Sequence, residues 1–225
     1  MKKIRVAIDG PAGAGKSSVS KLVAQKLGYA YVDTGAIYRS LALIMARKGI
    51  SLEHEPLIER ELKSFEISFK MEDGINRIFV NGEDVTSDIR SEEVSMLASS
   101  VSAIPFVRKG LFDIQRAYAK TGGVVMEGRD IGTVIIPEAE LKIFLTANPL
   151  KRAQRRLLDL RAKGVADITL EALAEEIKKR DEQDSNREIA PLKPADDSVV
   201  VDNSDIDLEQ TAEKIVAFAI ERSGE

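Results

Sequence analysis

Eight consecutive residues, Gly10-Pro11-Ala12-Gly13-Ala14-Gly15-Lys16-Ser17, are those whose types and spacing most directly imply chemistry. They fit the pattern G-x-x-x-x-G-K-[ST] and stand between an apolar run, Ile4 to Ile8, and a segment of helical spacing, Lys16 to Leu27. Gly10, Gly13 and Gly15 allow unusual dihedrals and close approach, so that successive backbone N–H groups face a polyanion across a helix N-terminus. Lys16 supplies a compact positive charge to the terminal phosphates, the Ser17 hydroxyl is the candidate ligand of Mg²⁺, and Ser18 follows in the same turn. The chemistry expected is phosphoryl transfer from a nucleoside triphosphate. Such a loop identifies the donor and leaves the acceptor open.

A second set of residues addresses the acceptor. From Pro149 to about Lys163, helical spacing puts Leu150, Ala153, Leu157 and Leu160 on one stripe, with Arg152, Arg155 and Arg156 projecting from a flanking face. Two readings compete: a solvated basic face, or arginines that close over a transferring phosphoryl group, whose charge needs several donors at once. Lys163-Gly164 ends the segment, which suits a hinged lid that also excludes water.

The following helix is expected to start near the N-cap candidate Thr169. Its inward stripe of Leu173 and Ile177 passes into Arg180, Asp184 and, if the helix extends that far, Arg187. Either the helix emerges from the core at Arg180, or these side chains point into a ligand cleft. Glu127-Gly128-Arg129-Asp130 follows the apolar run Val124 to Met126, and strand C-termini line the ligand crevice of open parallel sheets. There Gly128 permits close approach, Arg129 can grip a phosphate and Asp130 can accept a hydrogen bond; an ordinary strand-ending turn would use the same Gly and Asp. His54 has no partner for a triad and reads as a surface residue. A phosphate acceptor is already an anionic nucleophile and needs no strong general base.

The elements that must position these groups follow from periodicity. A strand, loop and helix unit opens the chain, followed by a short strand at Tyr29 to Val32. A helix from Gly35 to about Lys48 comes next, with Thr34 as N-cap, Ile37, Leu41, Ile44 and Met45 facing inward, and Gly49 closing it. Further apolar runs at Val124 to Met126, Leu141 to Leu145 and Val199 to Val201 complete an alternation of strands with helices, which predicts an α/β fold whose parallel sheet is covered on both faces. The stretch from about Ser64 to Asp88 breaks the rhythm. Ile67, Phe69 and Met71 alternate with polar residues, Arg77 to Val80 forms another strand, and Asn81-Gly82 is a hairpin signal, so a small antiparallel insertion is expected.

Composition bounds the remaining choices. A chain of 225 residues with 44% hydrophobic content can bury a substantial core in one domain. A net charge of -4 argues against a generic nucleic-acid binder, and the lack of cysteine excludes disulfides, thiolate metal sites and a thiol nucleophile. Arg5 and Asp9 interrupt the first apolar run too early for a signal segment or membrane span, so a soluble, unprocessed cytoplasmic protein is expected.

Four segments, taken in order, resemble the bacterial cytidylate kinase family over essentially the whole chain. They are Ile8 to Lys16, Val32-Asp33-Thr34-Gly35-Ala36-Ile37-Tyr38-Arg39, Gly128-Arg129-Asp130-Ile131-Gly132-Thr133, and Arg180-Asp181-Glu182-Gln183-Asp184-Ser185-Asn186-Arg187. The resemblance implies a single P-loop kinase domain over 1–225, with a parallel five-stranded sheet, a monophosphate-binding insertion over about 62–98 and a helical lid over about 149–166. It implies ATP with Mg²⁺ as donor, bound through Gly10 to Ser18, and CMP or dCMP as acceptor. With no nucleic-acid or membrane partner expected, a monomer is the default. Thr34, Arg108, Asp130 and Arg187 would surround the cytosine, Thr34 keeping the hydroxyl where some relatives have serine. Ser99, Arg180 and Asp184 would meet the ribose, although the adjacent Ser100 could fill the place of Ser99. Arg39 and Arg129 would hold the acceptor phosphate, while Arg152, Arg155 and Arg156 act with Lys16 around the transferred group. Two rival readings stand beside it: a kinase of a small metabolite such as shikimate or gluconate, and a non-catalytic nucleotide-binding module. Shikimate kinases usually carry a second acid two residues after the one ending strand two, whereas here Asp33 is followed by Thr34 and Gly35.

Overall fold

A computed structural model describes residues 2–72, 75–162, 164 and 168–224. The chain divides into two compact units, Met1–Tyr31 with Thr121–Glu225, and Val32–Lys120.

The first unit is built on short runs of β-branched residues. β1 (Arg5–Asp9), β6 (Val124–Gly128), β7 (Leu141–Thr146) and β8 (Val199–Asp202) are parallel neighbours, and with β2 (Ala30–Asp33) the five-stranded sheet runs β2-β6-β1-β7-β8. β6 is buried along its whole length and β1 from Val6 onward, which is why both read as unbroken apolar runs instead of alternating ones. Helices α1 (Lys16–Leu27) and α8 (Leu208–Arg222) contribute Val19, Val23, Ala212 and Ile215 to a core with Val6, Ile8, Val125, Ile143 and Leu145. α8 is started by a reciprocal capping box between Asp207 and Gln210. The lid-candidate helix α6 (Pro149–Ala162) packs through Ala153, Leu157 and Leu160 on Leu173 and Ile177 of α7 (Leu170–Ser185), whose N-cap is Thr169 as expected. Leu150, expected on that stripe, is exposed instead, because the first turn of α6 extends past the edge of the small cluster. Residues 163 and 165–167, where the lid was expected to end, lie outside the described residues.

The second unit carries α2 (Thr34–Lys48), α3 (Glu55–Lys63), the strands β3 (Ile67–Glu72), β4 (Ile75–Val80) and β5 (Glu83–Asp84), and helices α4 (Glu92–Val101) and α5 (Pro105–Ala119). The small sheet is antiparallel, in the order β3-β4-β5, and Asn81-Gly82 turns from β4 to β5 with positive φ at both residues, as that dipeptide favours. It belongs to the core of this unit: Ile78 and Val80 cluster with Ile37, Leu41, Met45, Ile58 and Leu111, and the Tyr118 hydroxyl donates to the Ile67 carbonyl at 2.6 Å. α2 ends at Gly49 as expected, but its N-cap is Asp33 and not Thr34: the Asp33 carboxylate accepts from Ala36 N, and Thr34 is already helical. Among the described residues no helix is long and apolar enough to cross a membrane.

The tightest constraint in the first unit is at Gly10, where φ is +154° and an added Cβ would stand 2.0 Å from the Leu145 carbonyl oxygen of β7. Gly10→Ala is therefore expected to cost about 3 kcal/mol or more. Urea denaturation should show the loss as a lower midpoint with unchanged slope; an unmoved midpoint would mean that the loop does not lie against β7 as described.

Candidate active site

The phosphate loop leaves the sheet at the C-terminus of β1, the middle strand, and enters α1 at Gly15. Gly15 is left-handed, at φ 85°, and provides no side-chain cap, so the first amides of α1 are not satisfied by a capping side chain. That arrangement suits an anion at the positive end of the helix dipole. Lys16 is buried, and its ammonium donates to the Pro11 carbonyl at 2.8 Å, folding across its own loop. Burial lowers its pKa to about 7, an effect increased by Arg129 and Arg180 and opposed by Glu127 and Asp184. Ser17 and Ser18 are exposed in the first turn of α1.

Arg129 and Asp130 stand just past the end of β6, and Glu127 and Gly128 are its last residues, so the strand runs two residues beyond the expected end at Met126. Arg129 donates from Nε to Asp184 at 2.8 Å, which joins the strand end to α7. Burial alone would push the Asp184 carboxyl up, but Arg129, with Arg187 and Arg180, more than offsets this and holds it below the usual carboxylate range. The charged end of the α7 stripe is thus inside: Asp184 is buried, and Arg180 lies close enough to act on both Lys16 and Asp184. α7 stops at Ser185, so Arg187 does not continue the helical stripe; its Nε donates to the Asp184 carbonyl from beyond the C-cap. Asp130 is buried beside Asp9.

The three arginines of α6 part company. Arg152, expected to project from the helix, is turned in and only 5% exposed, donating to the carbonyls of Ala147 and Ala12 and to Asp181, the last at 2.6 Å. Asp181 also accepts from Ala12 N, so the root of the lid-candidate helix is fastened to the phosphate loop. Arg155 grips Asn203 through both its side-chain and main-chain oxygens, and Asn203 in turn donates to the Ala14 carbonyl. Arg156 alone of the three is exposed.

The second unit holds the other sequence candidates. Arg39 donates from Nη2 to Asp33 at 2.6 Å, while its buried Nε has no hydrogen-bond partner among the described residues. Gly35 makes this possible, since a Cβ there would stand 3.0 Å from Arg39 Nη1 and 3.1 Å from Asp33 Oδ1. Thr34 is buried, and Arg108 is buried with its guanidinium over the Tyr38 ring and Nη1 donating to the Ser102 carbonyl. Ser99 and Ser100 are both half-buried on α4. His54 is exposed at the start of α3.

Asp9, Asp33, Asp181 and Asn203 were not singled out as site residues from sequence, although each holds a loop or an arginine in place. Asn203 had a usable signal, its position immediately beyond the C-terminus of a parallel strand. The others act on backbone amides or arginines through contacts that spacing does not encode. Among the described residues no three His, Cys, Asp or Glu side chains are grouped to hold a metal on their own. A site built from Ser17 and a nucleotide's phosphates fits the residues present, because Mg²⁺ keeps most of its waters and takes few protein ligands.

Comparison with known proteins agrees with this arrangement. The family model for cytidylate kinase matches residues 6–221. A cytidylate kinase of Caldicellulosiruptor bescii is 50% identical over 216 residues, covering 96% of this chain and 95% of the relative. One of Geobacillus sp. is 47% identical, covering 98% of each. Among solved structures, a gluconokinase from Sinorhizobium meliloti shares the fold with a TM-score of 0.51 at 15% identity, covering 99% of this chain and 94% of that one. With a glycine-lysine loop at the end of the middle strand and a family match that spans both units, the chain belongs to the cytidylate kinase family of nucleoside monophosphate kinases.

Proposed function

We propose that this enzyme transfers the γ-phosphoryl group of ATP, as its Mg²⁺ complex, to CMP or dCMP, releasing ADP and the pyrimidine nucleoside diphosphate. The observation that carries the reading is the cluster of buried Lys16 and Asp184 with half-buried Arg129 and Arg180 beside the uncapped start of α1, a cationic site at one end of a parallel sheet. A monomeric cytoplasmic enzyme with small-molecule partners fits this chemistry.

The loop Gly10 to Ser18 would cradle the donor phosphates through its amides, and Lys16 would move from Pro11 O to the β- and γ-phosphates. Mg²⁺ held there would supply positive charge that offsets the charge developing during transfer. Ser17 would hold it directly. Glu127, buried at the end of β6 and accepting from the Tyr31 hydroxyl, would serve as the strand-borne carboxylate that P-loop enzymes place near the metal. On the acceptor side, Arg129 would retain Asp184 through Nε and present its remaining donors to the phosphate. Arg39 would likewise retain Asp33, and its unpartnered Nε suits an added oxygen. Arg180 and Asp184, with Ser99 or Ser100, would meet the ribose. Thr34, Arg108, Asp130 and Arg187 would read the cytosine, and the exposed Arg156 is the lid arginine best placed to move over the transferred group, with Arg155 and Arg152 nearer the loop.

Cytosine presents an N4 amino donor where uracil presents an O4 acceptor, so the Asp130 carboxylate favours cytosine and leaves uracil unpaired. The convergence of arginines disfavours a passive nucleotide-binding module, which would need only the donor loop. ADP release with MgATP and a panel of CMP, dCMP, UMP, AMP and shikimate separates the readings; turnover with shikimate and none with CMP would overturn this one.

Asp130→Ala should lower the CMP to UMP preference by about tenfold, in line with about 1–3 kcal/mol for a base-edge pair, with little change in ATP binding. An unchanged preference would remove Asp130 from base reading. Lys16→Ala should reduce turnover with every acceptor by about a hundredfold or more, as expected for loss of a transition-state charge partner; near-normal turnover would contradict the mechanism. Bound phosphates favour the charged ammonium, while the free site holds Lys16 near a pKa of about 7. MgATP binding should therefore take up a proton and weaken as pH rises from about 7 to 9, by up to about tenfold per unit. Calorimetry in buffers of different ionisation enthalpy should detect this uptake in the wild type and not in Lys16→Ala.

A further inference from the structure

Asp9 is the last residue of β1, the position immediately before the phosphate loop, and it is 5% exposed. Its two oxygens are each committed to a backbone amide on the far side of the strand end. Oδ1 accepts from Ile131 N and Oδ2 from Gly132 N, both at 2.8 Å. These amides open the wide-turned helix Ile131–Ile135, and the residue immediately before it is Asp130, the candidate cytosine reader. Asp130 has no side-chain cap bond to that helix, and its backbone is neither helical nor extended, at φ -142° and ψ 25°. Asp9 therefore caps this helix in trans and is the group that satisfies the amides following Asp130. The strand register places Asp9 directly opposite Gly128, so one carboxylate spans from the entrance of the donor loop to the turn that bears Arg129 and Asp130.

We propose that Asp9 is a positioning residue for the acceptor nucleotide. It holds the backbone of the Arg129–Asp130 turn in the orientation that aims the Asp130 carboxylate at the base, and it locks that orientation to the start of the phosphate loop. The proposal rests on the reading that Asp130 recognises cytosine. An ordinary buried acid would be kept for stability alone; Asp9 differs in that both of its oxygens act on the two amides next to a specificity residue. Gly132 is also constrained from the other side, where the Lys142 stem would stand 3.2 Å from an added Cβ, so this turn has little room to find another position. The charged groups that face Asp9 are Asp130, which opposes its ionisation, and Lys16, which favours it; the Lys142 ammonium is paired with Asp197. Burial is the largest influence, and it pushes the Asp9 carboxyl up to about 6.

Asp9→Asn keeps the size and one acceptor oxygen but turns an NH₂ toward the second amide, donor against donor. Steady-state kinetics should show the KM for CMP raised by about tenfold or more, the KM for ATP changed by less than about threefold, and the CMP to UMP preference narrowed. In the double variant Asp9→Asn with Asp130→Ala, the preference should fall no further than in Asp130→Ala alone, because Asp9 acts through Asp130. Equal rises in both KM values, an unchanged KM for CMP, or additive losses of preference would overturn the proposal. If Asp9→Asn does not fold, the wild type supplies the test: the ¹⁵N amide resonances of Ile131 and Gly132 should titrate together with a midpoint of about 6. The acceptor KM should rise over the same interval as pH falls. Amides that do not titrate, or an acceptor KM indifferent to that titration, would overturn it. Should Asp130→Ala leave the CMP to UMP preference unchanged, the base-reading assignment falls by itself, and Asp9 is then judged on the KM split and the amide titration.

Discussion

The buried ammonium of Lys16 is the constraint around which the rest of the site is organised. A phosphoryl-transfer enzyme must concentrate positive charge where water is scarce, and here Arg129 and Arg180 share a small region with Lys16. Burial and mutual repulsion both disfavour such a cluster, so the fold supplies partial compensation from Glu127 and Asp184 and a carbonyl acceptor at Pro11. The compensation is incomplete. Lys16 remains shifted down, so phosphates that completed the charge balance would gain affinity by relieving that shift.

The same logic recurs at the arginines. Arg39 is held by Asp33, Arg129 by Asp184 and Arg152 by Asp181, each at one edge of a guanidinium that has five donors in a fixed plane. An ion pair on one edge fixes the plane and leaves other donors for a phosphate, which reduces the entropy lost when a ligand arrives. The carboxylates next to these arginines therefore act as orienting groups. Asp33 does this while also capping α2, and Asp181 does it while accepting from an amide of the phosphate loop. The glycines at 10 and 35 have matching roles, since each leaves space for a close approach that a methyl group would block.

Much of this architecture was legible in the sequence. The parallel strands announced themselves as short β-branched runs, α1 spans the residues its periodicity indicated, and Asn81-Gly82 marked its turn. What spacing did not reveal was settled by contacts between distant residues. Thr34 and Asp33 are both good caps, and Asp33 takes the position because it sits at the strand end, with Arg39 six residues onward to pair with it. Arg152 faces the same helix side as other basic residues in a projection, yet the Ala12 carbonyl and Asp181 draw it inward, partners 140 and 29 positions away. Asp9 reaches amides 122 and 123 residues downstream. Helices α3, α4, α5 and α8 were not located from the sequence; their apolar residues are interspersed with charges, and partners in their own units decide which faces are covered.

Phosphoryl transfer from ATP to a cytidine monophosphate at this loop can be followed through the phosphorus atom itself. With γ-¹⁸O-labelled ATP, Mg²⁺ and CMP, ³¹P spectra should show the label arriving in the β-phosphate of CDP in step with ADP, and almost none in inorganic phosphate. Label released as inorganic phosphate with no CDP, or no transfer at all by folded protein, would contradict the account.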